Sequence, residues 1–162
     1  MAQPFRNAAI FAKPRTEGNR PALHHALLKL LGIVEKAGVN ALLDAATRDA
    51  AGMTPMPGFS LAEIGARADV AIVLGGDGTM LGIAREMSAY QVPMIGINFG
   101  RLGFITDIAF DHMPEVLADL LAGRYETDHR PLLEAEVLHA GMVTTRAHAL
   151  NDVVVSHGVA GG

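Results

Sequence analysis

Strands alternating with helices over residues 1–123 predict an α/β fold: a doubly wound, mostly parallel sheet, followed over 124–162 by the start of an all-β domain. Three observations carry this reading. Continuous apolar runs such as Asp69–Leu74 (DVAIVL) and Val92–Asn98 (VPMIGIN) are what strands buried on both faces require. Apolar residues at helical spacing separate such runs. After Gly123 the pattern turns to short strands with no further helix.

Each element has its own signal. Residues 5–12 (FRNAAIFA) form a short apolar run stopped by Lys13-Pro14, a first strand. Asn19 before Pro21 marks a helix start. Leu23, Ala26, Leu27, Leu30, Leu31 and Val34 give that helix one apolar face, and Gly38 closes it. Val39–Ala45 reads as a second strand. A loose segment with Gly52, Pro55, Pro57 and Gly58 follows, and Ser60-x-x-Glu63 is a capping box opening a short helix. Met80–Ala89 is helical in pattern. Asp111 is expected to cap a helix running to Leu121 and ending at Gly123. Leu132–His139, the turn Ala140-Gly141 and Met142–Leu150 predict an antiparallel hairpin, and Asn151–His157 extends the β pattern. Two or three strands are too few for an independent β domain. The second domain therefore reads as truncated at Gly162, with edges that invite self-association into a homo-oligomer.

Composition narrows the function. Half of the 162 residues are hydrophobic and mean hydropathy is +0.27, enough for a sizeable core and against global disorder. With aromatics at 5% and no Trp, the core is expected to be aliphatic. The net charge of −4 argues against nucleic acid as a partner, because a phosphate-backbone binder needs a basic face. No Cys means no disulfide framework and no thiolate site. No stretch reaches the roughly 18 apolar residues of a membrane span, and the N-terminus lacks a secretory pattern. A soluble, cytoplasmic protein is expected.

Two segments carry the chemistry. Gly75-Gly76-Asp77-Gly78-Thr79 leaves a buried strand and enters a helix, at the sheet edge where open α/β sheets bind ligands. Glycines there allow close backbone approach to a phosphate and positive φ, and the helix start adds N–H donors. It is not a P-loop, since no Lys follows, and it does not fit G-x-G-x-x-G. Asp77, between two glycines, reads as a base or orienter for a hydroxyl. The competing reading is a turn or N-cap carboxylate. The second segment, Gly96-Ile97-Asn98-Phe99-Gly100-Arg101-Leu102-Gly103-Phe104-Ile105-Thr106, opens at the same edge and offers Leu102, Phe104 and Ile105 to a ligand or a domain seam. His139, His148 and His157 recur every nine residues. Six positions along one strand separate two sites by roughly 20 Å, too far for shared metal ligation.

GGDGT at 75–79, G-I-N-x-G-x-L-G-F-I-T at 96–106, and Asn151-Asp152 before three valines stand in the order and spacing of bacterial NAD kinases. The chain resembles the N-terminal portion of that family. The resemblance implies transfer of the γ-phosphoryl of ATP, or of polyphosphate, to the adenosine 2′-hydroxyl of NAD, giving NADP, with a divalent metal such as Mg²⁺. Carried over, Asp77 would take the proton, and Asp77, Gly78, Leu102, Gly103, Phe104 and Ile105 would border NAD. Gly75, Gly76, Gly78 and Thr79 would form the phosphate loop. Asn151 and Asp152 match a ribose-binding Asn-Glu pair in which the acid here is one methylene shorter. GGDGT is also shared with diacylglycerol-type lipid kinases, and a non-catalytic nucleotide-binding or assembly fragment is the third reading. The 96–106 segment favours the first. The isolated 162-residue chain is expected to show little activity, because it lacks the family's Thr-Ala-Tyr segment.

Overall fold

The computed structural model describes residues 5–13, 20–100 and 103–155. The expected break at Pro14, the cap at Asn19, and Arg101, Leu102 and His157 lie outside them. The chain divides into two compact units, Met1–Thr127 and Asp128–Gly162.

In the first unit, β1 (Asn7–Ala12), β2 (Asn40–Leu43), β3 (Val70–Gly75), β4 (Met94–Asn98) and β5 (Ile108–Ala109) form one sheet in the order β2-β1-β3-β4-β5. Every pairing is parallel. Alternate residues of β1 and β3 feed two cores. Ala8, Ile10, Ile72 and Leu74 pack with Leu23, Leu27 and Leu30 of α1 (Arg20–Lys36) and Leu117 of α5 (Met113–Leu121). Ala9, Phe11, Ala71 and Val73 pack with Ile64 of α3 (Leu61–Arg67) and Met80 and Met87 of α4 (Asp77–Met87). Helices thus cover both faces, which is why the central strands need apolar residues at every position. The core is aliphatic apart from the buried ring of Phe11.

The ends of these elements show where local signals suffice. Gly38, at φ +74°, donates back to Glu35 O and ends α1. Ser60 and Glu63 form both halves of the capping box. Two expectations shift, and one strand is added. The second strand stops at Leu43, because Asp44 caps a helix, α2 (Ala45–Ala51), accepting from Thr47 N–H at 2.8 Å. Asp111 lies in a 3₁₀ turn (Phe110–His112) and does not cap α5, which His112 precedes with Pro114 in the first turn. Beyond β4 the sheet gains β5, two residues long, too short to leave a sequence pattern.

The second unit is a hairpin of β6 (Leu133–His139) and β7 (Met142–Ala149). Ala140 and Gly141 both have positive φ (50° and 79°), the turn geometry that matches strand twist. The extension expected over 151–157 is not a strand across 151–155. The ladder ends at Leu133↔Ala149, and among the described residues no strand lies beside 151–155 to receive their backbone groups.

Candidate active site

The strand order reverses between β1 and β3, and such a reversal opens a crevice at the carboxyl ends of the strands. The Gly75–Thr79 loop leaves β3 at that edge. Gly76 precedes α4, and Asp77 is its first residue. The N–H groups of Asp77 and Gly78 have no intrahelical acceptor, as in any first turn.

The four loop positions differ in kind. A Cβ on Gly75 would fall 2.7 Å from Thr79 Cβ, so Gly75 exists to let Thr79 fold over the strand end. A Cβ on Gly76 or Gly78 would meet nothing within 4 Å, and both residues are exposed. None of the three glycines has positive φ. Space, and not a left-handed backbone, is what Gly76 and Gly78 offer.

Asp77 is not a bare carboxylate. Its Oδ2 accepts from Phe104 N–H at 2.9 Å. Its Oδ1 accepts from Ile105 N–H at 3.1 Å, Thr106 N–H at 3.0 Å and Thr106 Oγ1–H at 2.9 Å. It therefore binds the loop that follows β4 to the loop that follows β3. The Phe104 N–H first, then the Thr106 N–H, hold its carboxyl at about 2, well below the ordinary value. Gly103 makes the contact possible, since a Cβ there would sit 2.1 Å from Asp77 Oδ1. Gly96 does the same one strand across: a Cβ would lie 3.0 Å from Thr106 Cγ2. Phe104, with its N–H committed to Asp77, is 97% exposed beside the loop.

A family model of the ATP-NAD kinase N-terminal domain matches residues 46–125. An NAD kinase of Paraburkholderia phymatum is 47% identical over 152 residues, covering 94% of this chain and 49% of the relative. One of Polaromonas naphthalenivorans is 43% identical over 162 residues, covering 100% and 54%. Over nearly its whole length the chain is similar to NAD kinases, and residues 46–125 match the N-terminal domain of that family. It spans about half the length of the curated relatives it matches. A yeast NADH kinase solved with NADH shares the fold, with a TM-score of 0.75 over 92% of this chain and 48% of that one at 23% identity.

Asp77, Phe104 and Ile105 come together at one sheet edge through the hydrogen bonds above, with Gly103 lying against the Asp77 carboxylate and Gly78 following it in the chain. Leu102 lies outside the described residues. Asn151 and Asp152 belong to the second unit, exposed in the irregular segment after β7. Two participants were not singled out by sequence, Asn98 and Thr106, both buried and both bonded into the Asp77 cluster. A signal existed: each is a polar residue amid apolar ones and glycines at a strand end, and buried polar groups need partners.

Among the described residues no group of three or more His, Cys, Asp or Glu side chains could hold a metal ion. Asp77 already accepts four hydrogen bonds from N–H and O–H donors, which is not a donor set arranged for a hard cation. Of the arginines near the end of the first unit and the start of the second, Arg124 pairs with Asp119 at 2.5 Å and Arg130 with Asp128 at 2.9 Å. His148 pairs with Glu134 across the hairpin. Among the described residues no helix is long and apolar enough to cross a membrane.

Proposed function

We propose that this chain carries the acceptor-activating half of an NAD kinase, in which ATP or polyphosphate phosphorylates the adenosine 2′-hydroxyl of NAD. The residues 1–123 would form the nucleotide-binding domain and 124–162 the first strands of the second. The observation that carries the reading is the carboxylate of Asp77, held at the sheet edge between two open glycines and beside an exposed Phe104. The 2′-oxygen forms a bond to the γ-phosphorus, the bond from that phosphorus to the bridging oxygen breaks, and ADP leaves. The hydroxyl proton passes to Asp77.

A carboxylate with its pKa held near 2 is a weak base. That suits the reaction. The transition state of phosphoryl transfer is loose, so the nucleophile needs little activation before the new bond forms. Asp77 then acts first by orienting the hydroxyl and accepts the proton late, when the oxygen has become acidic. Gly76 and Gly78 leave room for phosphate oxygens against the first turn of α4. The ring of Phe104 offers a face for a base or nicotinamide, and Asn151 and Asp152 are assigned to the ribose. The divalent cation implied by the family would ride on the donor's phosphates, as Mg²⁺ commonly does, and no step above depends on it. The same reading takes the protein to be cytoplasmic and self-associating.

The test joins this chain to the remaining half of the Paraburkholderia phymatum relative and supplies γ-labelled ATP with NAD, with diacylglycerol, or with no acceptor. Label is expected in NADP alone. Asp77→Asn in the same chimera is expected to lower kcat by on the order of 10²–10⁴. Label in diacylglycerol would make this a lipid kinase, and NAD binding without transfer would make it a binding module.

A further inference from the structure

The donors around Asp77 divide unevenly. Oδ1 receives three, from Ile105 N, Thr106 N and Thr106 Oγ1, and Oδ2 receives one, from Phe104 N. A carboxylate oxygen offers about two lone-pair directions. Oδ1 is full, and Oδ2 has one direction left.

The Thr106 hydroxyl is itself held. Thr106 is 0% exposed, and its Oγ1 accepts from Asn98 Nδ2–H at 2.9 Å. Asn98, 3% exposed, ends β4 opposite Gly75. Its Nδ2 also reaches Thr106 O at 3.4 Å, and a carbonyl can only accept, so the amide must turn its NH₂ this way. With Asn98 donating to Oγ1, the hydroxyl hydrogen is directed to Asp77. The chain of donors therefore runs one way, from Asn98 to Thr106 to Asp77, from the sheet interior outward.

We propose that Asn98 and Thr106 are positioning residues that lock Asp77 with Oδ1 turned into the loop and Oδ2 presented to the acceptor hydroxyl. The assignment rests on the kinase reading above. Neither side chain needs to touch substrate. Their effect is to decide which oxygen is spare and to keep it ionised.

The 162-residue chain suffices for the test. Its Asp77 carboxyl carbon is followed by ¹³C NMR through an acid titration, with Asp77→Asn giving the assignment. Thr106→Val, or Thr106→Ala should the valine variant not fold, is expected to raise the Asp77 midpoint toward the ordinary carboxylate value of about 4. Thr106→Ser, which keeps the hydroxyl, is expected to leave it in place. Asn98→Ala should fall between, since the hydroxyl then loses its fixed direction. Adding NAD and then its 2′-deoxy analogue reads the oxygen itself: the Phe104 amide, bonded to Oδ2, should respond to the 2′-hydroxyl more than those of Ile105 and Thr106. Hydroxyl-free variants that titrate like wild type would overturn the proposal. So would serine shifting as far as valine, or a hydroxyl response absent at Phe104. The kinase reading fails separately, if Asp77→Asn keeps its turnover in the chimera.

Discussion

The carboxylate of Asp77 is ionised across the physiological range because four donors, led by the Phe104 N–H, favour its charged form. The sign of the pH dependence follows. A folded-state pKa below the unfolded one stabilises the fold above the unfolded value, near about 4, and that contribution disappears as pH falls through about 2. Urea unfolding of wild type and Asp77→Asn should therefore differ at neutral pH and converge between these values. Asn offers one acceptor oxygen where Asp offers two, so the 103–106 loop also loosens in the variant. The sequence marked Asp77 as chemistry but not as the anchor of a loop 27–29 positions away, because that partnership exists only once β3 and β4 lie side by side. The glycines separate more sharply than their shared motif suggests. Gly78→Ala should leave the fold intact or stabilise it by about 0.4–1 kcal/mol, while impairing nucleotide binding. Gly103→Ala should lower Tm and binding together, since its Cβ collides with Asp77 Oδ1. Thermal melts paired with NAD titrations distinguish the two.

Among elements, those with caps written beside an apolar period were readable. Ser60 and Glu63 announced α3, and Gly38 the end of α1. α2 was hidden because Asp44 follows the apolar run of β2 without a break, so the run reads as one strand through Ala45. What holds α2 is tertiary. Thr47, almost fully buried, accepts from Ala12 N–H at 2.9 Å and donates to Ala12 O at 3.2 Å, which ties the helix to the carboxyl end of β1. Thr47→Val keeps the shape and strands both backbone groups. A loss of about 1–3 kcal/mol in urea unfolding is expected, with a larger gain in Ala12 amide exchange than at Ile10. Unchanged exchange at Ala12 would mean that β1 ends there without help.

At the scale of the whole molecule, the alternation of buried strands and helices over residues 1–123 followed from their apolar runs, while the strand order and the fate of residues 124–162 did not, since a strand pattern cannot say what it pairs with. The hairpin has Val137, Leu138, Met142 and Val143 all exposed. A two-stranded ribbon of this kind is marginal in water. Its amides should exchange orders of magnitude faster than those of β1 and β3, and the chain should self-associate. Sedimentation velocity of Val137→Lys against wild type checks this: a monomer in both would show that the hairpin is not the contact.

Tyr90 lies across Gly65, where a Cβ would come within 2.2 Å of the ring, and Tyr125 stacks on Phe5 with centroids 5.4 Å apart. These are the two tyrosines of a chain without tryptophan, and both belong to the first unit. Ultraviolet emission therefore reports on that unit alone, one fluorophore on the helical layer and one at the edge of the first strand. Opening of the hairpin would be dark. A denaturation curve followed by tyrosine emission and one followed by far-ultraviolet dichroism should part company wherever the hairpin melts by itself, so comparing the two signals measures the coupling between the units without any label.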